Sequence, residues 1–435
     1  MRIVYLHQHF ATPDMSGGTR SYEMARRLVA AGHEVHMVTA RPSGKGRGWT
    51  ETEEAGIRVH WCPVAYSSHM SFRRRIQSCL EFSRRSASKA ASLPCDVVFA
   101  SSTPLTIALP AAYGAWWQRA PMVFEVRDLW PETPIAVGAL KHRLPIALAR
   151  GLERFAYHRA SHVVALSPDM KRGVVATGFP EDCVSVIPNS CDLKLFGVSS
   201  EVGKAFRRQH EWLQDRPLVV YTGALGLVNG VDYLARLAAV VARYNPEVRF
   251  LVIGNGREQD KVREVAAEQG VLNRSFFMLE SVPKKEMPAV LSAADIATST
   301  VIDRQALWAN SANKVFDGLA AGRAIAINHE GWLADMIRET GCGLVLPVGD
   351  VERAAEHLVA TLDDASQLAV LRRAARRVAR ERFDRDVLAK KLETILRVAA
   401  EQRGGRVVTS DLDGPATIPI ASSSQDVTAE QRRAA

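Results

Sequence analysis

The chain opens on an apolar run at residues 2–10, followed by the polar loop ATPDMSGG, a stretch of helical periodicity at 19–31 and a second apolar run, HEVHMVTA. Short apolar runs bounded by turn residues predict buried strands, and apolar positions recurring every three to four residues predict a helix with one buried face. The alternation then repeats. Strand patterns recur at 57–64, 96–101, 122–127, 162–167 and 184–188, with helical patterns between most of them. Strands alternating with helices predict a parallel sheet covered on both faces.

From 191 to 216 the chain is polar and charged, which predicts a linker with a short helix. The pattern then restarts with a strand and glycine-rich turn at 218–226, a helix at 231–244 and a strand at 248–256. Further strands are predicted at 276–279, 296–301, 324–328 and 343–347, and a helix at 366–382. The expected organisation is therefore one doubly wound unit at 1–190, a linker at 191–216, a second unit at 217–383 and a last helix at 384–400. The Gly/Ser/Thr/Pro-rich segment 401–435 has few large apolar residues and is expected to be a disordered tail. The uncharged stretch 97–118 is long enough to span a bilayer. Its SSTP, second proline and glycine instead predict a strand, a turn with Pro104 at the first helical position and an Ala-rich buried helix.

The segment NSANKVFDGLAAG, residues 310–322, carries the strongest candidate chemistry. Asn310, Lys314 and Asp317 recur at i, i+4 and i+7 and share a helix face, whereas Phe316, Leu319 and Ala320 form an apolar face. Asn310 or Ser311 is expected to cap this helix and Gly322 to end it. Its first turn, with Asn313, offers free backbone N–H groups, a positive dipole end and the Lys314 ammonium, which together suit a phosphate. One turn later Asp317 suits a vicinal diol such as a ribose. An ordinary amphipathic helix with a solvated Lys and Asp gives the same pattern.

Gly17 and Gly18 lie where a strand turns into a helix, and Gly223/Gly226 and Gly254/Gly256 end strands of the second unit, so backbone can approach a ligand at each place. None matches G-x-G-x-x-G, which argues against a dinucleotide-binding unit. EVRDLWPE, residues 125–132, is dense in charge at the carboxyl end of a strand, where open α/β sheets bind ligands. Asp128 within it reads equally as a contact to sugar or acceptor and as a helix cap or ion-pair partner of Arg127.

The formal charge of +9 fits nucleic acid, an anionic membrane or phosphorylated ligands, but the excess is uneven. Residues 372–391 hold nine Lys/Arg against three acids and residues 70–90 six against one. In the latter, Phe72, Ile76, Cys79 and Leu80 make an apolar stripe flanked by Arg73, Arg74 and Arg75. Such a helix either lies in a lipid interface or packs its stripe on the core with its arginines solvated. Six dispersed cysteines, with no C-x-x-C and no histidine at metal-ligand spacing, read as reduced thiols of a cytoplasmic protein. The N-terminus lacks the features of a signal peptide. DRD at 384–386 reads as surface, so no metal site is expected.

The wording NKVFDGLAAG resembles the acidic E-x7-E motif of retaining glycosyltransferases of the GT-B type, family 4. Asp317 matches the second acid, and Ala309 stands in place of the first. The segment is similar to the branch containing bacterial O-antigen and colanic-acid transferases, including fucosamine transferases. Gly17, Gly18, Arg20 and the helix ending AAGHEV are similar to that family's glycine loop, which lies under the donor diphosphate and near the acceptor. VIPNSCDLKLF resembles the PNG-x-D segment that ends the first domain, with Ser190 for the glycine, and FDRDVLAKKLETIL resembles the helix that crosses back. Asp128 stands about where many relatives carry a histidine. Ala224 and Asn229 stand near the places of an Arg and a Lys, leaving Lys314, Arg257 and more weakly Arg304 for the diphosphate.

The resemblance implies a GT-B fold: two doubly wound Rossmann-like domains facing a cleft. It implies transfer of a sugar, an N-acetylated deoxyamino sugar being one candidate, from a nucleotide diphosphate such as UDP to a lipid-linked saccharide in O-antigen or other surface polysaccharide synthesis. The transfer would proceed with retention and without metal, cofactor or enzyme nucleophile. Lys314 and Asp128 are the catalytic candidates. Gly17, Gly18, Gly223, Gly254, Arg257, Asn313, Lys314 and Asp317 are the donor-binding candidates, and Arg20, Arg73, Arg74 and Arg75 those for the acceptor or membrane side. The expected location is the cytoplasmic face of the inner membrane, held peripherally to an anionic surface. A sugar-nucleotide epimerase of the same architecture and a non-catalytic nucleotide-binding scaffold are the alternatives, and acceptor-dependent release of UDP separates the three.

Overall fold

A computed structural model describes residues 1–412 apart from 42, 45, 47, 68, 69 and 404, so most of the expected tail lies outside the described residues. The first sheet contains β1 (Arg2–Leu6), β2 (Glu34–Ala40), β3 (Thr50–Glu54), β4 (Ile57–Cys62), β5 (Val97–Ser101), β6 (Met122–Val126), β7 (His162–Ala165) and β8 (Val184–Val186). Their order is β3-β4-β2-β1-β5-β6-β7-β8, parallel except for the edge strand β3. The charged sequence TETEE gave no apolar signal for β3; pairing with β4 creates it.

The second sheet contains β9 (Leu218–Thr222), β10 (Arg249–Ile253), β11 (Phe276–Leu279), β12 (Ile296–Ser299), β13 (Ala324–Ile327) and β14 (Gly343–Val345), ordered β11-β10-β9-β12-β13-β14. Strand order reverses at β1/β5 and at β9/β12. Ligands of open α/β sheets bind outside the carboxyl ends of the strands at such reversals.

In β1, Val4 and Leu6 pack under the helices Phe72–Ser92, Ala108–Gln118 and Arg143–Arg159, while Ile3 and Tyr5 pack under Arg20–Ala30 and Arg385–Gln402. The last of these helices follows the second sheet in sequence yet buries Leu388, Leu392, Ile395 and Leu396 on the first. Each such fully buried side chain contributes about 1.5–3 kcal/mol. Where the chain leaves the first unit and where it returns, the two passages pair: Cys191 N–H donates to Phe383 O at 2.7 Å and Arg385 N–H to Cys191 O at 3.1 Å. Beyond this helix Val407 is buried and its carbonyl meets His162 Nδ1 at 2.8 Å, so the expected tail is docked on the first unit as far as this point.

Two helices of the first unit differ from expectation. In Phe72–Ser92 the buried face is Ser78, Phe82, Ser83, Ser86 and Ala90; Ile76 and Leu80 of the expected stripe face solvent, and the Phe72 side chain lies outside the described residues. The serines can face inward because Ser83 donates to Thr106 O and Ser86 to Phe82 O, and their small size lets the neighbouring helix approach. At Gly114 of that neighbour an added Cβ would lie 2.8 Å from Ala90 Cβ. This neighbour, Ala108–Gln118, is buried on one side only: Leu109, Tyr113, Trp116 and Trp117 are exposed.

Candidate active site

Both sheets direct their carboxyl ends into one cavity of about 480 Å³. The first unit lines it with Ser16, Gly17, Gly18, Thr103, Arg127, Asp128 and Asn189, all on loops that follow strands or, for Asn189, at the end of the unit. The second lines it with the turns after β9 and β10 (Gly223, Gly254, Asn255), with Ser281 to Lys284 beyond β11, and with Ser299 and the segment from Asn310 to Asp317 beyond β12.

The helix Asn313–Ala320 begins later than the sequence predicts. Its N-cap is Ala312, with no side-chain cap; Asn310 and Ser311 do not serve. Their polar groups are held elsewhere: Asn310 Nδ2 donates to Leu307 O at 2.8 Å, and Ser311 Oγ accepts from Asn189 N–H at 3.2 Å. With no side-chain cap, the first residues of this turn, Asn313 and Lys314, line the cavity, and a helix start of this kind suits phosphate. Phe316 and Leu319 of this helix are buried, while Ala320 is half-buried.

Lys314 lies on the floor beneath this turn, its Nζ 4.6 Å from the centre of the Tyr221 ring and its Cε 3.0 Å from where a Cβ on Gly223 would stand. Its partial burial lowers its pKa to about 8, against the opposing pull of Asp317. Gly254 has φ +157°, and an added Cβ would fall 1.8 Å from Gly223 O, so only glycine lets the two turns meet. Gly18 approaches from the other unit; a Cβ there would lie 2.9 Å from Asn313 Nδ2. The glycine loop is also tied across the cleft, Lys284 N–H donating to Met15 O at 3.3 Å, Lys285 N–H to Pro13 O at 3.2 Å, and Lys285 Nζ pairing with Asp14 at 2.6 Å.

Lys284 is the functional candidate that sequence reasoning missed. Its Nζ is buried against Asp317 Oδ2 and 5.1 Å from the Phe196 ring, and it fixes the carboxylate that the sequence reading assigned to a diol. The available signal was its place in SVPKKE, just past the carboxyl end of β11, where such folds place ligand groups.

On the opposite wall Asp128 accepts from Thr103 Oγ1 at 3.1 Å, and burial raises its pKa. Arg127 meets a different partner: its Nη1 lies 3.0 Å from His7 Nε2, while His7 Nδ1 lies 3.1 Å from Ser101 O. Burial, then Arg127, holds the His7 pKa well below its ordinary value, so His7 is neutral, donates to Ser101 O and accepts from Arg127.

Six residues expected at the site or on its acceptor or membrane side stand outside the cavity lining. Arg20 is fully buried beneath the glycine loop, donating to Glu125 at 2.8 and 3.1 Å and to the carbonyls of Ile187 and Pro188. It serves the junction of the first unit, because an arginine with no access to solvent takes the one buried carboxylate in reach. Arg257 and Arg304 are exposed and outside the cavity lining, because the turns that carry them point them into solvent. Arg73 and Arg74 are exposed and Arg75 half-buried on the outer helix layer, away from the lining. Ala309, at the position of the missing first acid, packs in the core of the first unit and accepts from Ser167 Oγ at 2.7 Å.

Residues 17–190 match the family described as a glycosyl transferase 4-like domain and residues 203–378 that described as glycosyl transferases group 1. The chain is 25% identical over 393 residues to a protein described as a colanic acid biosynthesis glycosyl transferase, WcaI, of Escherichia coli K12, covering 86% of this chain and 95% of that one. It superposes on sucrose-phosphate synthase of Thermosynechococcus elongatus with a TM-score of 0.72 at 15% identity, over 92% of this chain and 99% of the other. HepE of Anabaena, solved in complex with UDP-glucose, superposes with a TM-score of 0.68 at 16% identity over 92% and 100%. With two parallel α/β units facing one cleft, each matched by its own glycosyl transferase family, the chain belongs to the GT-B glycosyltransferases.

Proposed function

We propose that the enzyme transfers a sugar from UDP to a lipid-linked saccharide during synthesis of a cell-surface polysaccharide, with retention of anomeric configuration and without a metal ion. The observation that carries this reading is the meeting of Lys314 and the open first turn of Asn313–Ala320 with the glycine turns at Gly18 and Gly223. Departure of a diphosphate concentrates negative charge as the glycosidic carbon becomes oxocarbenium-like, and fixed cations and N–H groups at that place lower the barrier. Lys314 supplies the charge and the turn supplies the donors. Asp317, held by Lys284, takes the ribose hydroxyls, and Asn255, Ser281 and Val282 line the place left for the base.

The acceptor enters along Arg127, Asp128 and Thr103. Asp128, with its raised pKa, takes or shares the proton of the attacking hydroxyl. UDP is favoured by the likeness to HepE, which was solved with UDP-glucose, and polysaccharide synthesis by the likeness to WcaI. No helix among the described residues is long and apolar enough to cross a membrane, so a lipid-linked acceptor would be met by peripheral association. The test is a screen of nucleotide sugars against lipid-linked saccharides in EDTA, with NMR of the product anomer. UDP release that depends on acceptor and retains configuration supports the reading. Donor turnover indifferent to acceptor, or an inverted product, rejects it.

A further inference from the structure

The helices Phe72–Ser92, Ala108–Gln118 and Arg143–Arg159 lie side by side on one face of the first sheet, and their outward sides are unusually apolar. Leu109, Tyr113, Trp116 and Trp117 fall at i, i+4, i+7 and i+8, one face of a helix that carries no charge. Trp116 is 66% exposed, and the Tyr113, Trp116 and Trp117 rings stand 6.0 to 6.2 Å apart, uncovered by any other of the described residues. On one flank stand Ile76 and Leu80, on the other Leu144, 70% exposed, and Leu148. Large apolar side chains exposed in this number on one helix layer mark a place where something binds, and tryptophan and tyrosine favour the boundary between water and lipid.

Charge identifies the occupant. On Phe72–Ser92 the exposed cations are Arg73, Arg74 and Arg84, with Glu81 as the exposed acid, itself paired with Arg85. The stretch from Lys141 to Arg159 exposes Lys141, Arg143, Arg150, Arg154 and Arg159, and its one acid, Glu153, is buried. A groove of about 840 Å³ opens beside Trp116 and Trp117, lined by Arg119, His158, Arg159, Arg403 and Arg406 and, among the described residues, by no acid. Two copies of this face would set arginine against arginine. A bilayer offers both hydrocarbon for the aromatic stripe and phosphate for the rim.

We propose that this helix layer docks on a membrane rich in anionic phospholipid, the aromatic stripe entering the interface and the arginine-lined groove holding a lipid phosphate headgroup. In a parallel α/β unit each helix starts at the carboxyl edge of the sheet, so the starts of Phe72–Ser92 and Arg143–Arg159 lie at the cleft end of the layer and Trp116–Trp117 at the far end. The face therefore runs from the mouth of the active site outward. A saccharide carried on a lipid can be presented to Asp128 without leaving the bilayer. This use of the face rests on the lipid-linked acceptor proposed above; the docking itself does not.

The full chain is to be floated with vesicles of phosphatidylethanolamine and phosphatidylglycerol, and separately with neutral phosphatidylcholine vesicles. The expected result is binding to the anionic vesicles, weakened by salt, with quenching of tryptophan fluorescence by lipids brominated in the acyl chain. Trp116→Ser/Trp117→Ser should weaken binding about tenfold or more and abolish the quenching. Arg119→Ser/Arg159→Ser should lower binding to anionic vesicles while leaving the UDP-induced melting shift intact, which also shows that the variants fold. Wild-type protein that stays unbound, or that binds equally well in both variants, overturns the proposal. So does a dimer in sedimentation that the tryptophan variant dissociates, or a groove that takes inorganic phosphate while vesicles are ignored. Docking that persists while donor turnover with a soluble acceptor analogue fails would reject the transfer reading alone.

Discussion

Lys314 is held at the boundary between charged and neutral at near-physiological pH, and this has a measurable sign. Its depressed pKa of about 8 means that the free enzyme loses the ammonium as pH rises through that value. Donor kcat/KM should therefore fall above about pH 8 and be fully present below it, whereas kcat should hold to higher pH, because a bound diphosphate favours the charged form. A kcat/KM profile flat to pH 10 would contradict this. Lys314→Ala should lower kcat by about 10²–10³, the cost of losing one donor that stabilises departing charge. In the proposed function Asp317 faces a ribose that does not change during the reaction, so its loss should act on donor KM. Because Lys284 is buried against it, Asp317→Ala would strand an ammonium at a cost of about 3–5 kcal/mol. Asp317→Asn keeps a hydrogen-bond acceptor for Lys284 and is the variant to assay, with a raised KM and a nearly unchanged kcat expected. Arg20 gives the contrasting case. Arg20→Ala leaves Glu125 buried and unpaired and should lower unfolding stability by about 3–5 kcal/mol in denaturant titrations.

Among elements, the helix Asn313–Ala320 shows both what the sequence discloses and what it withholds. Its apolar periodicity at Phe316 and Leu319 and its ending at Gly322 are local properties and were legible. Its true start was not, because Asn310 and Ser311 are favourable caps in isolation and lose that role only through bonds to Leu307 and Asn189. Lys284 was hidden for the same reason: 33 positions separate it from Asp317, and only the fold joins them. The stripe on Phe72–Ser92 misled because three serines satisfy their inward place through packing and local bonds, a choice that hydrophobic periodicity reads backwards. The strand-to-glycine turns were the most legible feature, since at Gly254 no other residue fits. Gly254→Ala should cost about 1–3 kcal/mol and raise donor KM as the Gly223 turn is pushed aside. Unchanged melting and KM would show that the turns do not need to touch.

For the whole molecule, alternation of strand and helix was enough to read two doubly wound units. The interval read as a linker, 191–216, buries Phe196 and Leu213 in the core of the second. What could not be read was how the two units meet. The glycine loop touches Asn313 and is tied to the second unit by Asp14–Lys285, contacts between residues far apart in sequence. Charge on the cleft walls, Arg127 and Lys314 with the Lys284–Asp317 pair internally neutral, leaves the site cationic whether Asp128 is protonated or not, and more strongly so when it is.

The central claim is that this cleft binds a nucleotide diphosphate through Lys314 and an open helix terminus, with no metal bridging the phosphates. Melting of the purified protein with and without UDP in EDTA tests it most directly. A ligand at 100 times its dissociation constant stabilises by about 2.7 kcal/mol, so the account predicts a clear upward shift in EDTA that diminishes in Lys314→Ala. A shift that appears only when Mg²⁺ or Mn²⁺ is added, or that is identical in Lys314→Ala, would contradict it.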